Sequence, residues 1–406
     1  MTAETIDDSD ARFHPLNTWR ILSKSARALL VARMVNRVGG FSMAFLAVLL
    51  TDELHESVGV TGLIVAAFGL ATIPSRLAGG ALLDRVGARR TIMAGLIGCA
   101  AAQLVLAGAQ STATAVVGAV GLGLAYELIE PPTQALIAQE SDDRTRPALF
   151  GLLFVSMSVA AVAAGGVAAV VAGWDLRVLF VIDAVTCLGC AAVVRGFLSS
   201  GRVSPDECGA WPWRDKRLLR LFTLATVFTL VYMITVFGVP LTVADRRIGL
   251  WVIGVMTAVS ACVSVVAQPL LRIERLNAAD GSTAMAIGFV IMALSCGVLA
   301  VAHGPLAVVL FGVLGAIADV LLMSHLYARA SRLAPAGAAG RYLAVFGLSW
   351  GIATTAAPLV IGAALTVRDG VPLWLGTALV TLVLAVLAPR VGAAPRHTTP
   401  GVVVSD

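Results

Sequence analysis

The chain contains few charged residues for its length. Only 13% of its 406 residues are Asp, Glu, Lys or Arg, whereas soluble domains carry about 25%. Hydrophobic residues make up 58% of the sequence, and the mean hydropathy is +0.91. This composition excludes an ordinary soluble domain and predicts a protein that lies largely in lipid.

The sequence also lacks the short alternating segments of membrane β-strands. Its apolar runs are instead long enough for helices, which need about 20 apolar residues to cross the hydrocarbon core. We count twelve such runs, at about 27–50, 58–82, 91–109, 112–138, 147–171, 177–198, 219–243, 249–271, 281–302, 305–328, 341–366 and 372–390. The predicted fold class is therefore an all-α membrane protein with twelve transmembrane helices.

The six cysteines do not form a disulfide framework, because five of them lie within predicted spans. Cys187 and Cys190 have CxxC spacing, but they stand in an apolar run, where cysteine usually acts as a small apolar residue. The sequence shows no nucleophile–base pair, phosphate-binding loop or metal-ligand cluster. It therefore predicts neither an enzyme nor a bound cofactor.

Basic residues are distributed unevenly along the chain. If the N-terminus is cytoplasmic, outer loops hold only four of the 29 Arg and Lys residues, namely Arg177, Arg246, Arg247 and Arg368. Three more lie within spans, namely Arg33, Arg37 and Arg76. The positive-inside rule then places both termini in the cytoplasm. Because topology accounts for the net charge of +5, no nucleic-acid partner is expected.

A hydrophilic stretch separates two sets of six spans. We expect a cytoplasmic segment at 1–26, a six-helix half at 27–198, a cytoplasmic central loop at 199–218, a second half at 219–390 and a cytoplasmic tail at 391–406. Two parallel six-helix repeats are one transporter architecture.

Short matches between the halves support a duplicated unit. Ala115-Val-Val matches Ala307-Val-Val at an offset of 192 residues, and the same offset carries Glu127 onto Asp319. Phe150-Gly151 and Phe346-Gly347 also correspond, and an arginine precedes each of them.

Polar and ionisable side chains share one face in each of two predicted spans. They are Arg33, Asn36 and Arg37 in the first span, and Glu127, Glu130 and Gln134 in the fourth. A charge at the bilayer centre costs a few kcal/mol, so such residues indicate function. Because the two helices run in opposite directions, their depths predict that Arg37 pairs with Glu127 and Arg33 with Glu130.

Two interpretations of these pairs remain open. The pairs could form a static network that locks the two helices, although a buried ion pair is weak support for stability. Alternatively, a proton could neutralise Glu127 or Glu130, release its arginine and change the helix packing. Arginine itself stays charged and cannot carry the proton. Asp319, the repeat-related carboxylate, is a third candidate for proton coupling.

The loop between the second and third spans reads Gly80-Ala-Leu-Leu-Asp84-Arg85-Val-Gly87-Ala-Arg89-Arg90. It resembles the cytoplasmic G-x-L-a-D-r-x-G-r-k motif of the major facilitator superfamily, with Ala88 at the first basic position. The resemblance implies two six-helix halves that move a small molecule by alternating access. It also implies a cytoplasmic gate at Gly80, Asp84, Arg85, Gly87, Arg89 and Arg90. Asp84 could dock on a helix N-terminus or on an arginine.

The fourth span is similar to that of bacterial multidrug exporters of the drug:proton antiporter type, on the run from Gly121 to Leu136. Val117 departs from these exporters, which often carry arginine at that position. Gly165-Gly166 lacks the proline of their fifth-span signature. The resemblance implies proton-coupled export of a drug-like or amphipathic molecule by a monomer in the bacterial inner membrane, in contact with lipid.

In this family, spans one, four, seven and ten line the central cavity. The substrate-binding candidates are Asn36, Gln134, Tyr232, Phe237, Phe311, Phe346 and Trp350. Acidic residues beside aromatic rings suit lipophilic cations, whereas the two arginines suit anionic or zwitterionic molecules. Metabolite uptake, facilitated diffusion and a lipid-handling or non-transporting protein remain alternatives, and a facilitator would not need proton coupling.

Overall fold

The computed structural model describes residues 22–39, 45–46, 48–139, 141, 145–171, 176–198, 211–249, 251–273, 276, 281–335, 338–365 and 370–391. Most of the predicted N-terminal segment, part of the central loop and the tail after residue 391 lie outside these residues.

Regular structure in the described residues is helical. The α-helices are α1 (Lys24–Gly39), α2 (Val58–Val86), α3 (Ala88–Ala107), α4 (Thr112–Tyr126), α5 (Glu130–Gln139), α6 (Arg146–Val171), α7 (Leu176–Phe197), α8 (Lys216–Asp245), α9 (Trp251–Val266), α10 (Ser282–Val301), α11 (Pro305–Leu333), α12 (Ala339–Leu365) and α13 (Val371–Val391). Ten helical segments of the described chain are long and apolar enough to cross a membrane. These observations confirm an all-α, multi-pass architecture.

Helices α1 and α12 correspond to the two remaining predicted spans. Helix α1 has 16 residues, and a short π-helix, Leu49–Glu53, stands at the far end of the predicted first span. Helix α12 has 27 residues. The helix order is therefore consistent with twelve spans.

The fourth span is broken where its acidic residues lie. Helix α4 ends at Tyr126, a 3-10 turn covers Glu127–Ile129, and α5 begins at Glu130. Pro131 and Pro132 have no amide hydrogen, so the carbonyls four residues earlier lose their helical donors. The chain tightens there into a 3-10 turn. This places Glu127 and Glu130 at the two ends of an irregular segment.

Two seams join the N-terminal helices to the C-terminal helices. In the first, which we call the α2–α12 seam, Gly80 lies so close to α12 that a Cβ would stand 2.6 Å from the carbonyl oxygen of Gly340. In the second, the α6–α11 seam, the Phe154 and Tyr327 rings lie 4.9 Å apart. The Gln268 amide, just beyond α9, also donates to the Gly151 carbonyl at 3.3 Å.

Candidate functional site

The α2–α12 seam contains a buried ion pair. Arg76 of α2 is only 4% exposed, and its Nη1 lies 2.5 Å from Oε2 of Glu127. The guanidinium occupies the space where a side chain at Gly347 would lie, and the Tyr327 hydroxyl stands beside it. Nε and Nη2 of Arg76 are buried and have no hydrogen-bond partner among the described residues. Glu127 is therefore the anion that the structure provides for a cation wedged between the two halves.

The expected pairing of Arg37 with Glu127 is wrong. Arg37 instead donates to the Tyr126 hydroxyl at 3.4 Å, and Glu127 pairs with Arg76. Depth along two helices does not decide which third helix lies beside them, and here α2 packs directly against α4. The signal was nevertheless present in the sequence, because Arg76 is an arginine within an apolar span.

The second expected contact is present. Arg33 forms an ion pair with Glu130. Gln134 donates to the other carboxylate oxygen of Glu130 at 3.3 Å, and Arg33 donates to Asn36 at 3.3 Å. Both amides therefore hydrogen-bond the ion pair itself, Asn36 through the arginine and Gln134 through the carboxylate.

Asp319 of α11 is a carboxylate without a cation partner in the described chain. Its Oδ1 is buried and accepts no hydrogen bond from the described residues. Tyr232 and Cys296 interact with it electrostatically, and Tyr232 also interacts with Arg37. The Tyr232 ring packs edge-on against Trp350 at 5.3 Å. An unpaired acid, an arginine and two aromatic rings thus share one region.

The other aromatic candidates lie in different environments. Phe237 is 37% exposed. Phe346 is buried against Tyr327 at 5.0 Å. Phe311 packs against Trp374 at 5.5 Å within the hydrophobic core. The Phe311 ring is therefore part of the core against which Tyr232 and Trp350 also pack.

A small cavity opens along the α2–α12 seam beside the Arg76–Glu127 pair. Its other lining residues are Thr72, Ile73, Gly347, Leu348, Trp350 and Gly351. Trp350 donates from Nε1 to the Tyr327 hydroxyl at 2.9 Å. The ion pair, the cavity and the aromatic region are therefore continuous.

Asp84 connects the sequence motif to the other half. Nε of Arg341 lies 2.7 Å from its Oδ2, and the backbone amides of Gly340 and Arg341 also donate to this carboxylate. These amides belong to the first turn of α12, where backbone donors are unpaired and favour an anion. Both docking modes expected for Asp84 are thus present together.

The remaining motif residues shape the turn between α2 and α3. Gly87 has a φ of 87°, in the left-handed region that favours glycine. Arg85 and Arg90 are exposed, and Arg89 is half-buried. In the chain that the structure describes, no group of three His, Cys, Asp or Glu side chains could hold a metal ion.

Comparisons with known proteins identify relatives of the chain. A family model described as "Major Facilitator Superfamily" matches residues 29–277. The "Multidrug resistance protein MdtH" of Aeromonas hydrophila is 27% identical over 313 residues, covering 74% of this chain and 77% of MdtH. The "Uncharacterized MFS-type transporter YqjV" of Bacillus subtilis is 22% identical over 353 residues, covering 82% of this chain and 85% of YqjV.

Solved structures share the fold. The human organic anion transporter MFSD10 (TETRAN) superposes with a TM-score of 0.73 at 12% identity, covering 90% of this chain and 99% of that protein. The peptide transporter POT, in complex with alafosfalin, superposes with a TM-score of 0.68 at 15% identity, covering 94% and 99%. At these identities the likeness concerns architecture alone.

Proposed function

Because the chain belongs to the major facilitator superfamily, we propose that it is a secondary transporter that exports a drug-like or amphipathic small molecule in exchange for protons. The observation that carries this proposal is the Arg76–Glu127 pair in the α2–α12 seam. The name of the multidrug resistance relative supports the substrate class.

Protonation of Glu127 links proton binding to the packing of the α2–α12 seam. A neutral Glu127 leaves the Arg76 guanidinium buried against Gly347 without its counterion. An unpaired buried charge is strongly unfavourable, so the guanidinium moves toward water and the α2–α12 seam opens. Arg76 keeps its charge throughout, since arginine does not deprotonate in proteins.

Glu130 and Asp319 are the other proposed proton-binding groups. Protonation of Glu130 frees Arg33 in the same way, at the far end of the 3-10 turn. Asp319 has no cation to release among the described residues; in this proposal it binds a proton or a substrate cation beside Tyr232 and Trp350. Arg37 supplies a positive charge to the same region.

The proposed orientation follows the positive-inside rule. Arg85, Arg89, Arg90 and Arg341 lie at the end of the bundle that holds the Gly80–Arg90 motif. This end faces the cytoplasm of a bacterial inner membrane, as do both termini. The Asp84–Arg341 contact then closes the cytoplasmic side, and the working unit is a monomer.

Transport in inside-out membrane vesicles tests the proposal. The vesicle interior is made acidic, a pH-sensitive dye reports proton release, and lipophilic cations, anions and antibiotics are added in turn. We expect at least one compound to release protons, and Glu127→Gln to abolish that release because the side chain no longer titrates. Glu130→Gln is measured beside it.

Asp245→Asn is the matched control, because this carboxylate is exposed at the end of α8, away from both ion pairs. It should transport like the unmodified protein. If folded protein moves compounds without moving protons, it is a facilitator and the coupling proposal is wrong. Equal activity of Glu127→Gln and the unmodified protein would remove Glu127 from the mechanism.

A further inference from the structure

Asp183 is a buried acid in the N-terminal half of the molecule. It lies in α7 and is 3% exposed. Nε2 of Gln103, in α3, donates to its Oδ2 at 2.5 Å, and the Cys187 thiol donates to its Oδ1 at 3.6 Å. The Gln103 contact is a hydrogen bond between two packed helices, α3 and α7. The contact with the Cys187 thiol connects Asp183 to α1.

Cys187 is one link in a continuous chain of hydrogen bonds. Nδ2 of Asn36 donates to the Cys187 sulfur at 3.2 Å, and Nη1 of Arg33 donates to Oδ1 of Asn36 at 3.3 Å. Arg33 then pairs with Glu130. The chain therefore connects a carboxylate on α7 with a carboxylate on α5 through two residues of α1.

The three hydrogen bonds between Arg33 and Asp183 all point the same way. Each hydrogen bond runs from the Arg33 guanidinium toward the Asp183 carboxylate, so both dipoles are aligned between a cation and an anion. Hydrogen bonds in such a series polarise one another in a low-dielectric interior. Asn36 uses its oxygen on Arg33 and its amide on Cys187, so its orientation is set from both sides.

We propose that Asp183 is a positioning residue that, through Cys187 and Asn36, holds the Arg33 guanidinium in the orientation that meets Glu130. The effect on transport rests on the proposed function, in which Glu130 takes part in proton coupling. The positioning itself does not depend on transport. Gln103 fixes the Asp183 carboxylate at the start of the chain.

Other ionisable groups also face the Arg33–Glu130 pair. From α1, α3, α4, the 3-10 turn and α7 they are Arg37, Cys99, Tyr126, Glu127 and Cys190. None of them takes part in the chain, so replacing Cys187 leaves the charges around the pair unchanged. If proton coupling changes when Cys187 is replaced, the change therefore reports the position of the Arg33 guanidinium.

A double-mutant cycle on thermal stability tests the positioning without any transport. The purified full-length protein is compared with Cys187→Ala, Glu130→Gln and the double variant at one heating rate. Substitutions at independent sites add, whereas members of one network do not. We expect Cys187→Ala to lower the Tm by less than half as much in the Glu130→Gln background as in the unmodified protein.

Two further variants control the cycle. Cys296→Ala removes an equally buried thiol of α10, in the other half, and should add to Glu130→Gln. Cys187→Ser keeps a donor and an acceptor at the same position and should restore the non-additivity. An additive cycle for Cys187→Ala and Glu130→Gln would overturn the proposal.

The pH profile of transport then distinguishes a role of Cys187 in orienting Arg33 from a role in helix packing alone. We expect the profile of Cys187→Ala to be displaced by about one pH unit, the tenfold effect of a lost hydrogen bond, and that of Cys187→Ser to match the unmodified protein. An undisplaced profile would overturn the role in coupling even if the cycle is non-additive. If the unmodified protein moves no protons, the proposed function fails and the cycle alone decides the positioning.

Discussion

In each of the two seams between the halves, a glycine leaves a notch that a side chain of the other half fills. That side chain is charged in one seam and apolar in the other. Gly347 in the α2–α12 seam receives the Arg76 side chain, and Gly151 in the α6–α11 seam receives the Leu271 side chain. The two glycines occupy corresponding Phe-Gly pairs of the repeat. One seam therefore contains an ion pair, whereas the other is held by an apolar contact and an amide. Both seams thus have a glycine notch, and under the proposed function only the seam filled by Arg76 should respond to protons.

The largest expected effect comes from filling the first notch. Gly347→Ala places a methyl group on the Arg76 guanidinium, so we expect vesicle transport to be abolished. The double variant Gly347→Ala with Arg76→Ala should remain inactive, because it restores space but not charge. Gly376→Ala, whose Cβ meets nothing within 4 Å, is the control and should be active. Active double-variant protein would show that the two seams are equivalent.

Filling the second notch should be reversible. Gly151→Ala collides with Leu271, and overpacking of this kind costs about 1–3 kcal/mol. We expect transport and Tm to fall, and Leu271→Ala to recover most of both, since only space is lacking. Failure of this rescue, with folded protein, would mean that the α6–α11 seam also needs a specific side chain.

At the end of the α2–α12 seam, replacing Asp84 should reduce transport more than replacing Arg341. Asp84→Ala removes the ion pair and the two backbone hydrogen bonds, whereas Arg341→Ala removes only the ion pair. We expect transport to fall about tenfold for Asp84→Ala, as for the loss of roughly 1.4 kcal/mol, and less for Arg341→Ala. The exchange Asp84→Arg with Arg341→Asp should not restore activity. Recovery in the exchanged protein would show that charge alone matters.

The smallest expected effect tests whether the seams communicate. Tyr327 packs on Phe154 of the α6–α11 seam and accepts from Trp350 in the α2–α12 seam. Tyr327→Phe keeps the packing and removes the hydroxyl, so we expect a loss of about 1 kcal/mol in stability and a modest fall in transport. Trp350→Phe should cause at least that fall, because it also changes the ring that packs on Tyr232. A larger effect for Tyr327→Phe would mean that this hydrogen bond links the two seams.

Sequence reasoning located most of the polar chemistry, because a charge in an apolar span stands out. It anticipated the Arg33–Glu130 contact and the docking of Asp84. It assigned Glu127 to Arg37 instead of Arg76, since helical period and depth constrain two helices but not the position of a third. The substrate contacts of the aromatic candidates stay a prediction, and the Phe311 ring packs on Trp374.

The sequence by itself determined that the chain crosses the membrane, that its halves are related and that its motif belongs to the major facilitator superfamily. These properties follow from composition, apolar run length and local spacing, which act within one helix or one loop. Only the tertiary structure decided that Arg76 fills the notch at Gly347, and that Asp183 reaches Arg33 through Cys187 and Asn36. Such contacts join residues far apart in the chain, and helix packing alone sets their distances.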